Sequence, residues 1–165
     1  MKIIFLDVDG VLNNVNHIKK CYKKNGKKPF GMYYVPFNPK CLKNLAKLTR
    51  KTNARIVVSS TWRLDKEHMA VLKARIAEYG LRVHDITDNI GMVRGKEITE
   101  WLKKNESAWI ENFVVLDDEV KDINNFISDS HIVKTNADTG LTWLNYIKAK
   151  KILDNKEGIL KWKKK

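Results

Sequence analysis

The chain has 165 residues, 43% of them apolar and 9% aromatic, which fits one globular domain with a sizeable core and excludes a disordered chain. No apolar run approaches the ~20 residues that span a bilayer, and the start "MKIIFLDVDG" meets two aspartates with no small-residue cleavage site, so neither a membrane protein nor a signal peptide is expected. The net charge of +13 is concentrated: Gly10 to Leu64 holds 13 Lys and Arg and no Asp or Glu, while the remaining 19 basic and 19 acidic residues cancel, so one block of the chain projects a positive field that attracts polyanions.

In chain order, "IIFL" (Ile3 to Leu6) is short, β-branched and followed by Gly10, which predicts a buried strand. Residues 13 to 37 show no clean period and contain Gly26, Pro29, Gly31 and Pro36. Asn38-Pro39 then supplies an N-cap and a first-turn proline for a helix that places Leu42, Leu45 and Leu48 on one face. "RIVVSS" is a second buried strand. A helix built on Met69, Leu72, Ile76 and Ala77 ends at Gly80. "LRVHDIT" reads as a third strand, "GKEITEWLKKN" as an amphipathic helix, "NFVVLDDE" as a fourth strand and "HIVKT" as a fifth. "LTWLNYIKAKKILDN" closes the pattern as a helix. Strands alternating with helices imply βαβ units, hence an α/β fold with a mostly parallel sheet and helices on both faces. Residues 1–153 form the expected single domain, with a basic tail over 154–165. Cys21 and Cys41 have no metal-ligand spacing and are expected as free thiols of a cytoplasmic protein. The four histidines are isolated, and Trp101, Trp109 and Trp143 are expected in the core.

In a parallel sheet of this kind the ligand site lies beyond the carboxyl ends of the strands. Polar residues sit at those ends: Asp7 and Asp9 after the first strand, Ser59, Ser60, Thr61 and Arg63 after the second, Arg94 and Lys96 at a helix start, and Asp117 and Asp118 after the fourth. Asp122 follows further on. Hard carboxylate oxygens suit Mg²⁺. An aspartate can act as a nucleophile and a second carboxyl as general acid and base. Hydroxyls and Arg or Lys, the latter at a helix N-terminus, can hold phosphate oxygens. The inventory suits phosphoryl transfer. Arg63 has two readings, a substrate phosphate ligand or a partner of Asp65 or Glu67 on a surface helix.

"FLDVDGVLN", "IVVSSTWR", "RGKEI" and "VVLDDEVKD" resemble, in order and spacing, the four motifs of the haloacid dehalogenase (HAD) superfamily of aspartate-nucleophile phosphohydrolases. With "VKTNADTGLT", they are similar to the HAD domains named for the Swiss Army Knife RNA repair proteins, over Met1 to about Leu153. The resemblance implies a Rossmann-like HAD fold. It makes Asp7 the nucleophile and Asp9 the acid and base. Asp117 or Asp118 would bind Mg²⁺ with Asp7 and the backbone carbonyl of Asp9. Ser59 is favoured over Ser60 and Thr61 as the phosphate-holding hydroxyl, and Arg94 over Lys96 as the cation, with Lys96 an alternative. Asp122 would support the metal or cap the next helix.

Members of this superfamily usually take specificity from cap insertions. Residues 13–37 are too few for a folded cap domain and predict an extended flap or hairpin, a minimal cap over an open site. Six lysines in it are interleaved with Tyr22, Phe30, Tyr33, Tyr34 and Phe37; lysines contact phosphates and aromatic rings stack on unpaired bases. The expected function is removal of terminal phosphate from RNA or DNA ends. The rivals are the same chemistry on nucleotides or small phosphate esters, a phosphotransferase, and a catalytically silent nucleic-acid-binding module.

Overall fold

Five β-branched runs give five parallel strands. The computed structural model describes residues 1–24 and 36–155. The strands are β1 (Lys2–Leu6), β2 (Ala54–Val58), β3 (Val83–Ile86), β4 (Asn112–Asp117) and β5 (Ile132–Lys134). Their order across the sheet is β3-β2-β1-β4-β5, and every pairing is parallel. The helices are α1 (Val15–Lys24), α2 (Pro39–Thr52), α3 (Lys66–Ala77), α4 (Arg94–Lys104) and α5 (Trp143–Asp154). This is the α/β, Rossmann-like layout that the alternation predicts. Among the described residues no helix is long and apolar enough to cross a membrane.

The central strands β1, β2 and β4 are almost wholly buried, as their continuous apolar runs require, whereas the edge strand β3 is largely exposed. Ile4, Leu6, Ile56, Val58, Val114 and Leu116 face one core with the apolar sides of α2, α3 and α5. Ile3, Phe5, Val57, Phe113 and Val115 face the other, against Ile98, Trp101 and Leu102 of α4. Because the side-chain period of a strand is two, residues 7, 59 and 117 continue the second set. The tips of β1, β2 and β4 are thereby aimed to the side of the sheet on which α4 lies. The chain steps from β1 outward to β2 and β3, then crosses back to β4 on the other side of β1. The switch in strand order therefore falls at β1, where a ligand site is expected.

The stretch expected as an extended flap begins differently. Val15–Lys24 is a helix. Asn14 caps it, its Oδ1 accepting the His17 N–H at 2.9 Å, and Lys23 and Lys24 lie in its last turn, where the helix dipole favours cations. Val15, Ile18 and Tyr22 are partly buried, whereas Lys19, Lys20, Lys23 and Lys24 are exposed. Only three apolar residues mark this amphipathic stripe, and the Gly and Pro residues that follow mask it. The rest of the flap, residues 25–35, and the tail from 156 lie outside the described residues. The tryptophans also divide: Trp101 is buried, but Trp109 is 87% and Trp143 48% exposed, so the last two are not core residues.

Candidate active site

Backbone hydrogen bonds carry the sheet register one residue past the strand ends. The Asp7 N–H donates to Leu116 O, the Ser59 N–H to Leu6 O, the Thr87 N–H to Val58 O and the Thr135 N–H to Asp117 O, at 2.8–3.1 Å. Asp7, Ser59 and Asp117 are thus locked side by side. Oxygens of Asp7, Asp117 and Asp118 all lie within 4.8 Å of one another. Gly10 makes this approach possible. Its φ is +69°, and a Cβ there would sit 2.3 Å from Asp118 Cγ, so only glycine lets the carboxylate lie over the backbone.

Three carboxylates in so small a space need a counter-charge. Arg94, the first residue of α4, supplies it. Its Nη1 lies 3.2 Å from Asp7 Oδ1 and 2.5 Å from Asp117 Oδ2. Burial alone would lower the Arg94 pKa, but Asp7 and Asp117 outweigh it and raise it. For the aspartates the balance is opposite. Burial raises Asp7 despite Arg94 and a hydrogen bond from Ser60, and burial together with the Asp7 charge lifts Asp117 to about 7. Burial also raises Asp118. Carboxyls held above their usual range, with one arginine between them, form a site that a divalent cation would relieve.

Asp9 stands apart from that cluster. The strand ends at Leu6 and the backbone turns, so the Asp9 carboxylate is exposed. Two neutral donors hold it: Asn13 Nδ2 at 2.6 Å on Oδ1 and Trp62 Nε1 at 2.8 Å on Oδ2. Asn13 Oδ1 also accepts the Gly10 N–H at 3.1 Å. Buried Thr135 donates its hydroxyl to Gly10 O at 2.8 Å, tying the loop to the end of β5. Trp62, Asn13 and Thr135 have no role in the sequence reading. Trp62 lies in "SSTWR" but outside any apolar period, and Thr135 simply ends a short strand, so no pattern marks them.

The second motif is split between two serines. Ser60 caps the short 3₁₀ turn that follows β2 and hydrogen-bonds Asp7. Ser59 Oγ, like Thr87 Oγ1, is fully buried and has no hydrogen-bond partner among the described residues, a state that calls for an explanation. Arg63 is corrected on both of its readings. Its Nε donates to Thr87 O, its Nη1 to Ser59 O and Ser60 O, and its Nη2 to Asp88 O and Glu97 Oε2. All five donors are taken, so none faces a phosphate, and its acid is Glu97, not Asp65 or Glu67. Glu97 also accepts the Ile90 N–H at 3.0 Å. The pair braces the β2 loop against α4. Lys96 is exposed and lies near Glu100; Arg94 is the cation that reaches the carboxylates. Asp122 does not cap the turn that follows it; its Oδ2 accepts the Gly95 N–H at 3.3 Å, capping the earlier helix α4, which Val93 leaves without a side-chain cap.

The donor set fits Mg²⁺: three carboxylates, all hard oxygen, meeting at a point in a partly buried site. No curated protein matches the chain, and no solved structure does. The family model for the HAD domain in Swiss Army Knife RNA repair proteins matches residues 3–145. With four motifs in order at the tips of a parallel sheet, the chain belongs to this family of HAD domains.

Proposed function

We propose that this protein is a Mg²⁺-dependent phosphatase that acts through an aspartyl phosphate on Asp7 and removes terminal phosphates from nucleic-acid ends. One observation carries the chemistry. Asp7 sits in a row with Ser59 and Asp117, paired with Arg94, while Asp9, two residues on, is held by two neutral donors. Asp7, Asp117 and Asp118 would hold Mg²⁺, which would neutralise the carboxylates and the incoming phosphate.

In the first step a carboxylate oxygen of Asp7 attacks phosphorus. The bond to the leaving oxygen breaks, and Asp9 gives that oxygen its proton. In the second, Asp9 takes a proton from water, the water oxygen attacks phosphorus, and the Asp7–phosphorus bond breaks to release inorganic phosphate. Arg94 and the unpartnered Ser59 hydroxyl bind the equatorial oxygens as charge develops there. Asn13 and Trp62 hold the Asp9 carboxyl in place.

The nucleic-acid substrate is supported by two observations. The family is named for RNA repair proteins, and the acid-free stretch from Gly10 to Leu64 carries 13 cations. The test is Mg²⁺-dependent phosphate release from p-nitrophenyl phosphate, mononucleotides and phosphorylated oligonucleotides, with Asp7→Asn as control. Oligonucleotides should be the best substrates. Faster turnover of mononucleotides at every salt concentration would overturn the end-processing reading.

A further inference from the structure

We infer that α2 and α5 together form the track on which a single nucleic-acid strand lies behind its terminal phosphate. The inference rests on the proposed substrate and extends it to a surface outside the site. Lys40, Lys43, Lys47 and Arg50 recur three or four residues apart, so they share one face of α2. Cys41, Leu42, Leu45 and Leu48 turn inward. α2 contains no acid, and none of these cations, nor neighbouring Lys51, makes an ion pair among the described residues. Lys40 in the first turn works against the helix dipole, whereas Arg50 and Lys51 in the last turn are favoured by it, so the dipole does not account for Lys40, Lys43 and Lys47.

The stripe begins at the site. The Asn38 N–H donates to Leu12 O at 2.8 Å, and Phe37 packs on Trp62, ring centres 5.5 Å apart, the same Trp62 that holds Asp9. From Lys40 to Lys51 the stripe then runs about 16 Å down the molecule. α5 lies alongside, and Asn44 Nδ2 donates to Leu141 O, just before α5, at 2.9 Å. α5 contributes exposed Trp143, Leu144 and Ile147, with Lys148 and Lys151 beyond. Lys47 Nζ sits 4.2 Å over the Trp143 ring. Cations flanking exposed apolar and aromatic side chains match a strand whose phosphates meet lysines while its bases lie on flat surface. A continuous apolar face without these cations would instead suit a protein partner.

The test uses the full chain and a fluorescein-labelled RNA strand of about 12 nucleotides with a terminal phosphate, followed by fluorescence anisotropy across a salt series. The triple variant Lys43→Gln/Lys47→Gln/Arg50→Gln should bind at least about tenfold more weakly and lose about 2 from the slope of log affinity against log salt. Trp143→Ala should weaken binding at every salt concentration with the slope kept. Hydrolysis of p-nitrophenyl phosphate should be unchanged in all variants. A triple variant that keeps the wild-type affinity and slope would overturn the track, as would binding to anionic phospholipid vesicles in place of the strand. If wild type fails to hydrolyse p-nitrophenyl phosphate, the phosphatase reading falls, while the affinity comparison still decides the track.

Discussion

Removing Arg63 should cost more than any exposed charge in the molecule. Arg63 and Glu97 side chains are each only 2% exposed and lie 2.5 Å apart. Arg63→Ala would strand a buried carboxylate and four backbone carbonyls, those of Thr87, Ser59, Ser60 and Asp88. Breaking a buried pair from one side costs about 3–5 kcal/mol. In a chain of this size that lowers Tm by roughly 6–20 °C. Arg63→Lys should recover little, because an ammonium cannot reproduce the planar fork. Arg63→Met/Glu97→Met should be more stable than Arg63→Met alone, since it leaves no buried charge. Thermal unfolding followed by circular dichroism reads all four. kcat/KM should fall in all three single variants, because Ser59 and Ser60 lose the group that fixes their carbonyls. If Arg63→Ala instead melts within about 2 °C of wild type and only raises KM, Arg63 is a phosphate ligand and the bracing argument is wrong.

Gly10→Ala places a methyl on Asp118 at a positive φ, so Mg²⁺ affinity measured by calorimetry should drop at least about tenfold; an unchanged affinity would remove Asp118 from the ligand set. Asp117 is lifted to about 7, and a proton there competes with a cation. The competition is strong below that pH and fades above it. Mg²⁺ binding should therefore tighten about tenfold between pH 6 and pH 8, and a flat profile would contradict the assignment. Trp62→Phe keeps the ring beside Phe37 but removes the donor to Asp9. Turnover of an alkyl phosphate, whose leaving oxygen needs a proton, should fall about tenfold more than that of p-nitrophenyl phosphate. Equal losses on the two substrates would make Trp62 a packing residue only.

The centre of the sheet was legible because β1, β2 and β4 are almost wholly buried and so read as apolar runs. The residues at their tips were legible because a strand end fixes where the next side chain goes. Asp7, Asp117 and Asp118 meet for that reason. The choice between Arg94 and Lys96 was not, since two cations in one helical turn point in different directions and only the packing of α4, set by Gly95 against Asp122 and Ile123, decides which one turns inward. Arg63 was misread because its acid lies 34 positions away, beyond any local pairing rule. α1 was missed because the apolar stripe of Val15, Ile18 and Tyr22 is short, and because its first-turn N–H groups, those of Val15 and Asn16, find their acceptors on Ala137 O and Asp138 O, which they meet only in the folded chain.

The central claim is that Asp7 becomes phosphorylated. The direct measurement is an acid quench during turnover of p-nitrophenyl phosphate with Mg²⁺, reduction of the trapped acyl phosphate with borohydride, and tandem mass spectrometry of the peptides. The account predicts conversion of Asp7 to homoserine in wild type and none in Asp7→Asn or without Mg²⁺. Conversion at another aspartate, or full activity in Asp7→Asn, would contradict it.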